Sequence, residues 1–180
     1  WKLRGVDEPA RQLAAGSVPV WTYRWDWDEE GSLATIDLSA LIGAAHGLEI
    51  PFVFGDFDLG PQTSLLFHDD NAEGRIALSE RMMAYWLAFA RDLDPGRGAD
   101  GRGVLWQPWN PEAGRSFVRL DTGAEGIAMD DATLNAADLL RRLATDPRFE
   151  SDEERCRVFT SAFRSGHEAA RAGVPSLADC

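Results

Sequence analysis

The sequence predicts a mixed α/β fold whose β-sheet is incomplete. Residues 21 to 27 (WTYRWDW) place Trp or Tyr at every second position, which is the period-2 pattern of a β-strand with one buried face. Several later segments carry apolar residues at helical spacing, whereas further strand-like segments are few and weak. Because such a strand needs neighbours to bond its backbone, we expect the C-terminal part of a larger α/β sheet protein.

The first half of the chain is predicted to alternate helix, strand and loop. Residues 1 to 16 form a helix that ends at Gly16, although Pro9 disfavours a helix interior. The strand lies within VPVWTYRWDW, and a loop then carries the chain from DEEGS to His46. Two prolines and two glycines in EIPFVFGDFDLGP indicate a packed loop or a short extended piece.

The second half is predicted to be mainly helical. One helix ends near Arg91 and carries an apolar stripe formed by Ile76, Met82, Met83, Trp86 and Phe89. The loop DLDPGRGADGRG follows, and SFVRLDT is a short extended piece. Residues 133 to 144 and 151 to 165 are two further helices, the second opening with a capping box from Ser151 to Glu154. The remaining residues are expected to be a loosely ordered tail.

Composition disfavours several functions. The 180 residues carry a formal net charge of -12, and a field of that sign repels phosphates, so we expect no nucleic-acid partner. No run of about 18 apolar residues is present, so we expect no membrane span. Neither a CxxC pair nor a His-rich tract indicates a metal site. The chain begins without Met or a signal-peptide pattern, so we expect a piece of something longer and assign no compartment.

Several reactive side chains are expected to have ordinary structural roles. Cys156 and Cys180 do not make a disulfide framework, and because Cys180 is the last residue we expect a mobile thiol in preference to a bridge. His68 and His167 lack partners at metal-ligand spacing and are expected at the surface. We expect a group of acidic side chains to be solvated at the end of the strand: Asp26, Asp28, Glu29 and Glu30.

The stretch GAAHGLEIPFVFG, residues 43 to 55, holds the histidine whose surroundings suit catalysis best. Small neighbours let the backbone bend sharply and leave the imidazole uncovered, and a loop directly after a sheet strand is a common place for such a site. A catalytic histidine faces a reacting hydroxyl with one nitrogen and a carboxylate with the other. On these grounds alone a structural or exposed histidine is the commoner case, and both interpretations stay open.

The same stretch resembles the histidine segment of the type-B carboxylesterase family, which includes the cholinesterases and has an α/β-hydrolase fold. The family pattern of glycine, histidine, acid and a phenylalanine-rich run is matched by Gly43, His46, Glu49, Phe52 and Phe54. Four further segments resemble family segments in the family order: VPVWTYRWDWDEE, LSERMMAYWLAFARDLDP, WQPWNP and FVRLDT. The fold class implied is the C-terminal part of an α/β-hydrolase fold, with the last core strands and their covering helices.

This resemblance implies a division of the chain and a role for its histidine. Residues 1 to 129 would be the C-terminal part of the carboxylesterase domain, residues 130 to 165 a helical extension and residues 166 to 180 a tail. His46 would be the triad histidine, the general base that takes a serine proton and returns it to the leaving alcohol.

The neighbours of His46 are expected to support its loop. Glu49 is not the triad acid, which lies well upstream of the histidine in the family, and we expect it to brace the loop in preference to reacting. Gly43 and Gly47 would permit the bend. Phe52 and Phe54 are expected in the core in preference to a substrate wall.

The resemblance implies that the other two triad members lie outside this sequence. No serine lies in a GxSxG turn, and no glycine-rich oxyanion segment is present. The implied partner is therefore an N-terminal part of the same esterase that carries the serine and the acid, acting on a small ester with no metal or organic cofactor. The chain alone is expected to be inactive. The main alternative is a non-catalytic cholinesterase-like adhesion module, and an independent helical interaction domain is disfavoured by the unpartnered aromatic strand.

Overall fold

The chain folds into a mixed α/β structure with a small sheet and several helices, as predicted. The computed structural model describes residues 2–123, 126–163, 173–177 and 180. Two compact units divide the chain, a smaller one of Trp1–Ser17 with Ala132–Cys180 and a larger one of Val18–Asp131. Within the described ranges, none of the helices combines the length and the apolar character that spanning a bilayer requires.

Helices and strands follow one another with short connections. The strands are β1 (Tyr23–Trp25), β2 (Ser32–Leu33), β3 (Ile36–Asp37), β4 (Phe117–Leu120) and β5 (Ala128–Asp130). The helices are α1 (Glu8–Ala15), α2 (Leu38–Leu41), α3 (Glu49–Phe54), α4 (Thr63–Leu66), α5 (Ala72–Asp92), α6 (Ala136–Thr145) and α7 (Asp152–Phe163). A π-helical turn, Leu3–Asp7, leads into α1, and Pro9 is tolerated because it lies in the first turn of that helix.

The sheet of the larger unit has the strand order β1-β4-β5. β1 runs parallel to β4, with Arg24 opposite Arg119, and β4 runs antiparallel to β5, with Val118 opposite Met129. The strand predicted in VPVWTYRWDW is confirmed but shorter, and the piece predicted in SFVRLDT is β4. The aromatic strand therefore has a partner within this chain, contrary to expectation. β2 and β3 form a separate hairpin where the sequence predicts a loop.

β1 has one paired edge and one unpaired edge. The Val118 N–H donates to the Thr22 carbonyl oxygen at 3.0 Å, and the Asp26 N–H likewise donates to a β4 carbonyl at 3.1 Å. Alternate residues of a parallel strand direct their backbone N–H and C=O groups to opposite edges of the strand. The backbone groups of Tyr23 and Trp25 therefore point away from β4. On that side the described residues contribute no strand. An edge of this kind is a template for pairing with another strand.

The aromatic face of β1 packs against α5. The rings of Trp21 and Phe89 meet edge to face with centroids 5.7 Å apart, and those of Tyr23 and Trp86 do so at 5.2 Å. Aromatic pairs in this geometry contribute about 0.5–1.5 kcal/mol each beyond the area they bury. The predicted helix over this segment is confirmed, and Trp86 and Phe89 of its apolar stripe contact the aromatic residues of the strand segment. Ile76 of the same stripe is 49% exposed, so the stripe is only partly buried.

The segment EIPFVF is helical, so the prediction of a loop or an extended piece is wrong. Pro51 lies in the first turn of α3, where backbone N–H groups have no helical partner and a missing N–H costs little. Gly55 ends the helix in the left-handed conformation with φ 66°. Phe52 is fully buried, and the Ser79 hydroxyl of α5 donates to its carbonyl oxygen at 2.8 Å. α3 is thereby docked on α5.

The smaller unit is helical and joins the two ends of the chain. Its buried core consists of Leu3, Leu140, Phe159, Phe163, Val174 and Leu177. Asp7 is 1% exposed, accepts a hydrogen bond from the Leu134 N–H at 2.7 Å, and pairs with the Lys2 Nζ at 2.7 Å. The predicted C-terminal helices are confirmed as α6 and α7, and the Ser151 hydroxyl accepts a hydrogen bond from the Glu154 N–H at 3.1 Å at the start of α7.

Cys156 on α7 and Cys180 form a disulfide, so the expectation of a mobile terminal thiol is wrong. The short helical turn Pro175–Leu177 buries Leu177 fully in the smaller unit, and Val174 is buried as well. These contacts are between segments that are distant in sequence, which is why the pattern at the chain end does not reveal them. Residues 164–172, 178 and 179 of the predicted tail lie outside the described residues.

Removing the disulfide should destabilise the smaller unit. Closing a loop with a sequence separation of 24 stabilises the fold by about 3 kcal/mol in the chain-entropy account. In the Cys156→Ser, Cys180→Ser double variant we expect α7 amides to exchange with solvent at least about tenfold faster, while α5 amides in the larger unit keep their rates. Mass spectrometry of hydrogen exchange measures both helices. Wild type under reductant should match the variant, and unchanged α7 exchange in both would contradict a stabilising role.

Candidate active site

His46 lies in a turn between α2 and α3, and its side chain is exposed. α2 ends at Leu41, and the Leu48 N–H donates to the Ala45 carbonyl oxygen at 3.2 Å just before α3 begins. β2, β3 and α2 separate the histidine from β1. The expectation that the histidine loop directly follows the sheet strand is therefore wrong, because a hairpin and a short helix intervene.

Two glycines shape this turn. Gly43 has a φ of 52° and Gly47 a φ of 95°, a region that disfavours side chains. A Cβ at Gly43 would also lie 3.1 Å from the carbonyl oxygen of Ser39, whereas a Cβ at Gly47 would meet nothing within 4 Å. Gly43 is therefore favoured by conformation and by space, and Gly47 by conformation alone. His46, between these two glycines, is exposed.

Glu49 is hydrogen-bonded to the turn that carries the histidine. One of its carboxylate oxygens accepts from the Gly47 N–H at 2.7 Å. Glu49 is also the first residue of α3, where the helix dipole favours a negative charge. A hydrogen bond to an ionised group is roughly twice as strong as a neutral one. These contacts support the predicted role of Glu49 as a brace of the loop.

The turn is linked to the sheet through α3. Trp25 of β1 meets Phe52 edge to face with ring centroids 4.5 Å apart. Burial raises the pKa of the Tyr23 hydroxyl, and the negative charge of Glu49 raises it further, so Tyr23 lies within electrostatic reach of the brace. Sequence reasoning did not single out Tyr23. One feature of the sequence distinguishes Tyr23 from its neighbours: among the alternating aromatic residues of the strand segment, it alone carries a hydroxyl group.

The phenylalanine run after Glu49 has two different environments. Phe52 is fully buried, which confirms its assignment to the core, whereas Phe54 is 75% exposed, so its assignment to the core is wrong. Residues two apart on a helix point to nearly opposite sides, and the helical form of α3 therefore separates them. Ile50 and Leu41 are also exposed, so apolar side chains near His46 in sequence face solvent on both sides of it.

The acidic segment after β1 is not uniformly solvated. Glu30 is fully buried, and this burial raises the pKa of its carboxyl group. His68 is half-buried with its Nε2 3.2 Å from the Glu30 carbonyl oxygen. Gly31 provides the room, since a Cβ there would lie 2.7 Å from that nitrogen. The prediction of a solvated Glu30 is therefore wrong. His68 keeps 31% of its side chain exposed, so the prediction of a surface position holds in part, and His167 lies outside the described residues.

Metal-ligating groups do not converge in the part of the chain that the structure describes. No three His, Cys, Asp or Glu side chains there are arranged to hold a metal ion. At His46 the structure places an exposed imidazole on a turn that contains Gly43 and Gly47, with the Glu49 carboxylate bonded to the Gly47 N–H. Such a group is suited to accepting a proton from a hydroxyl that approaches from outside the turn.

Comparison with known proteins relates this turn to esterases. The model of the carboxylesterase family matches residues 4–137. Acetylcholinesterase of Gallus gallus is 34% identical over 99 residues, which cover 55% of this chain and 11% of that protein. Para-nitrobenzyl esterase of Bacillus subtilis (strain 168) is 28% identical over 100 residues, which cover 56% of this chain and 18% of that protein. Acetylcholinesterase 1 of Caenorhabditis elegans is 35% identical over 71 residues, which cover 38% of this chain and 10% of that protein. The matched segment thus spans less than a fifth of each relative.

The brace can be tested separately from catalysis. Glu49→Ala removes the acceptor of the Gly47 N–H, and the loss of about 1.5–3 kcal/mol should speed exchange of that amide about tenfold or more. Glu49→Gln keeps an acceptor oxygen and should have a smaller effect. Amide exchange followed by NMR measures Gly47 directly. Asp58→Ala is the matched control, because the Asp58 carboxylate accepts a hydrogen bond from the Gly60 N–H at 2.8 Å. This variant should speed exchange of the Gly60 amide and leave the exchange rate of the Gly47 amide unchanged. Equal Gly47 rates in wild type and Glu49→Ala would contradict the brace.

Proposed function

Because the chain belongs to the carboxylesterase family, we propose that His46 is the general base of a serine-histidine-acid triad that hydrolyses carboxylic esters. The observation that carries this proposal is the position of His46, exposed on a turn shaped by Gly43 and Gly47 and braced by Glu49, within the segment that the family model matches. An exposed imidazole on this turn can meet a hydroxyl supplied by another segment.

In such a triad His46 moves one proton in each half of the reaction. It takes the proton of the serine hydroxyl as the serine oxygen bonds to the ester carbonyl carbon, and it gives that proton to the alcohol oxygen as the ester C–O bond breaks. A water molecule then repeats the sequence, losing its proton to His46 and attacking the acyl group. The serine regains the proton and the carboxylic acid leaves. A positioned general base contributes about 10²–10⁴-fold to such rates.

The serine and the acid are proposed to lie on an N-terminal part of the same esterase. No serine of this chain has glycines at both flanking positions of a GxSxG turn. The unpaired edge of β1 supports the proposal, because an added strand would bond the backbone groups of Tyr23 and Trp25. The exposed side chains of Leu41, Ile50 and Phe54 near His46 in sequence would be covered in the same assembly.

The proposed assembly has an α/β-hydrolase fold. In it residues 1 to 129 complete the esterase domain, with residues 130 to 165 as a helical extension and 166 to 180 as a tail. This chain contributes the base, strands at one end of the sheet and the covering helix α5. It is expected to be inactive by itself, and its substrate is a small ester that reacts without a metal or an organic cofactor.

Replacing His46 should abolish hydrolysis in the protein that also contains the serine and acid segments. His46→Ala should lower kcat for p-nitrophenyl acetate by about 10⁴-fold or more, as removal of a triad member does. His68→Gln is the matched control, because glutamine keeps a polar group near the Glu30 carbonyl oxygen, and it should stay within about threefold of wild type. Release of p-nitrophenol followed by absorbance gives both rates.

Two outcomes would overturn the proposal. Near-normal turnover by His46→Ala would remove His46 from the triad. A wild-type protein that folds with its serine segment in place and hydrolyses no ester would favour the non-catalytic adhesion module.

A further inference from the structure

The larger unit contains an aromatic pocket between β1 and α5. Its volume is about 170 Å³, and it is open on one side. β1 and the residues before it contribute Trp21 and Tyr23, α5 contributes Trp86 and Phe89, and the later loop contributes Trp106. A cavity of roughly 150 Å³ with apolar walls is known to hold a benzene molecule. The pocket therefore has the volume of one aromatic ring.

The rings around the pocket already meet edge to face. Tyr23 contacts Trp86 at 5.2 Å and Trp106 at 6.4 Å between centroids, with interplanar angles of 69° and 83°. Trp21 and Phe89 meet at 5.7 Å and 70°. Because aromatic rings prefer edge-to-face and offset neighbours to flat sandwiches, walls arranged in this way offer both ring faces and ring edges.

The polar atoms of two lining rings are already occupied. The Tyr85 hydroxyl donates to the Val104 carbonyl oxygen at 2.6 Å, and the Trp106 Nε1 donates to the Thr22 carbonyl oxygen at 3.1 Å. Burial raises the pKa of Tyr85 to about 12, as expected for a hydroxyl in dry surroundings. No charged side chain lines the pocket in the described part of the chain. These walls therefore offer no ion pair to a charged guest.

We propose that this pocket binds a small neutral aromatic compound, held between β1 and α5 by ring-to-ring contacts. The site is distinct from the turn that carries His46 and involves no covalent step. A neutral ring suits the pocket better than an ion, because no charged side chain among the described residues lines it and an ion would lose its hydration there without an ion pair in return. The negative faces of the lining rings and the net charge of -12 repel anions in addition. Binding depends on the larger unit alone and is independent of the proposed ester hydrolysis.

Toluene is a suitable probe, and the indole N–H signals of the 180-residue chain are a suitable readout. Titration should shift the NMR signals of Trp21, Trp86 and Trp106 in a saturable way, while those of Trp27 and Trp109, which do not line the pocket, stay in place. Toluene has no ester bond, so the result stands whether or not His46 is a catalytic base. An absence of saturable shifts up to the solubility of toluene would overturn the proposal, and so would shifts confined to Trp27 and Trp109.

A pair of matched variants locates the site. Phe89→Trp places a larger ring in the pocket wall and should weaken toluene binding at least tenfold. Phe54→Trp makes the same change at a position outside the pocket, and its affinity for toluene should stay within twofold of wild type. Both side chains are partly exposed, at 43% and 75%, so each variant is expected to fold. Equal affinity in Phe89→Trp and wild type would contradict the assignment. Stronger shifts with tetramethylammonium than with toluene would instead identify a cation site and overturn the neutral-ring proposal.

Discussion

The contact between Trp25 of β1 and Phe52 of α3 is the interaction on which the candidate site depends. Their ring centroids lie 4.5 Å apart, and Phe52 is fully buried. α3 begins at Glu49, whose carboxylate bonds the Gly47 N–H beside His46. A strand, a buried ring and a short helix thus connect the core of the larger unit to the turn that carries the histidine.

Two parts of β1, its far edge and its aromatic face, are available for further contacts. Its far edge has unpaired backbone groups in the described structure, and its aromatic face borders the pocket formed with α5. An edge strand with an apolar face is a liability unless another element covers it. The exposed side chains of Leu41, Ile50 and Phe54 add to the apolar surface of the larger unit. In the proposed assembly the remaining esterase polypeptide covers this edge and these side chains, and the histidine meets its serine there.

Local sequence patterns predict β1, β4 and the longer helices of this fold, and they miss most of its short elements and its long-range contacts. Period-2 aromatic residues identify β1, and helical spacing identifies α5, α6 and α7. α3 is missed because Pro51 and Gly55 indicate a loop, whereas they lie at the two helix ends that tolerate them. Glu30 and Cys180 are misjudged because their environments are created by residues distant in sequence. His46 is identified through family resemblance, since its own neighbours do not distinguish a base from an exposed histidine.

The central claim is that this chain supplies the base of an esterase site whose serine and acid lie on another part of the polypeptide. The most direct test is to titrate the 180-residue chain into the separately prepared N-terminal part and measure p-nitrophenyl acetate hydrolysis. The account predicts that neither part hydrolyses the ester above background and that the mixture gains activity, saturating at one copy of each. Full activity of either part alone, or a tight complex that gains no activity, would contradict it.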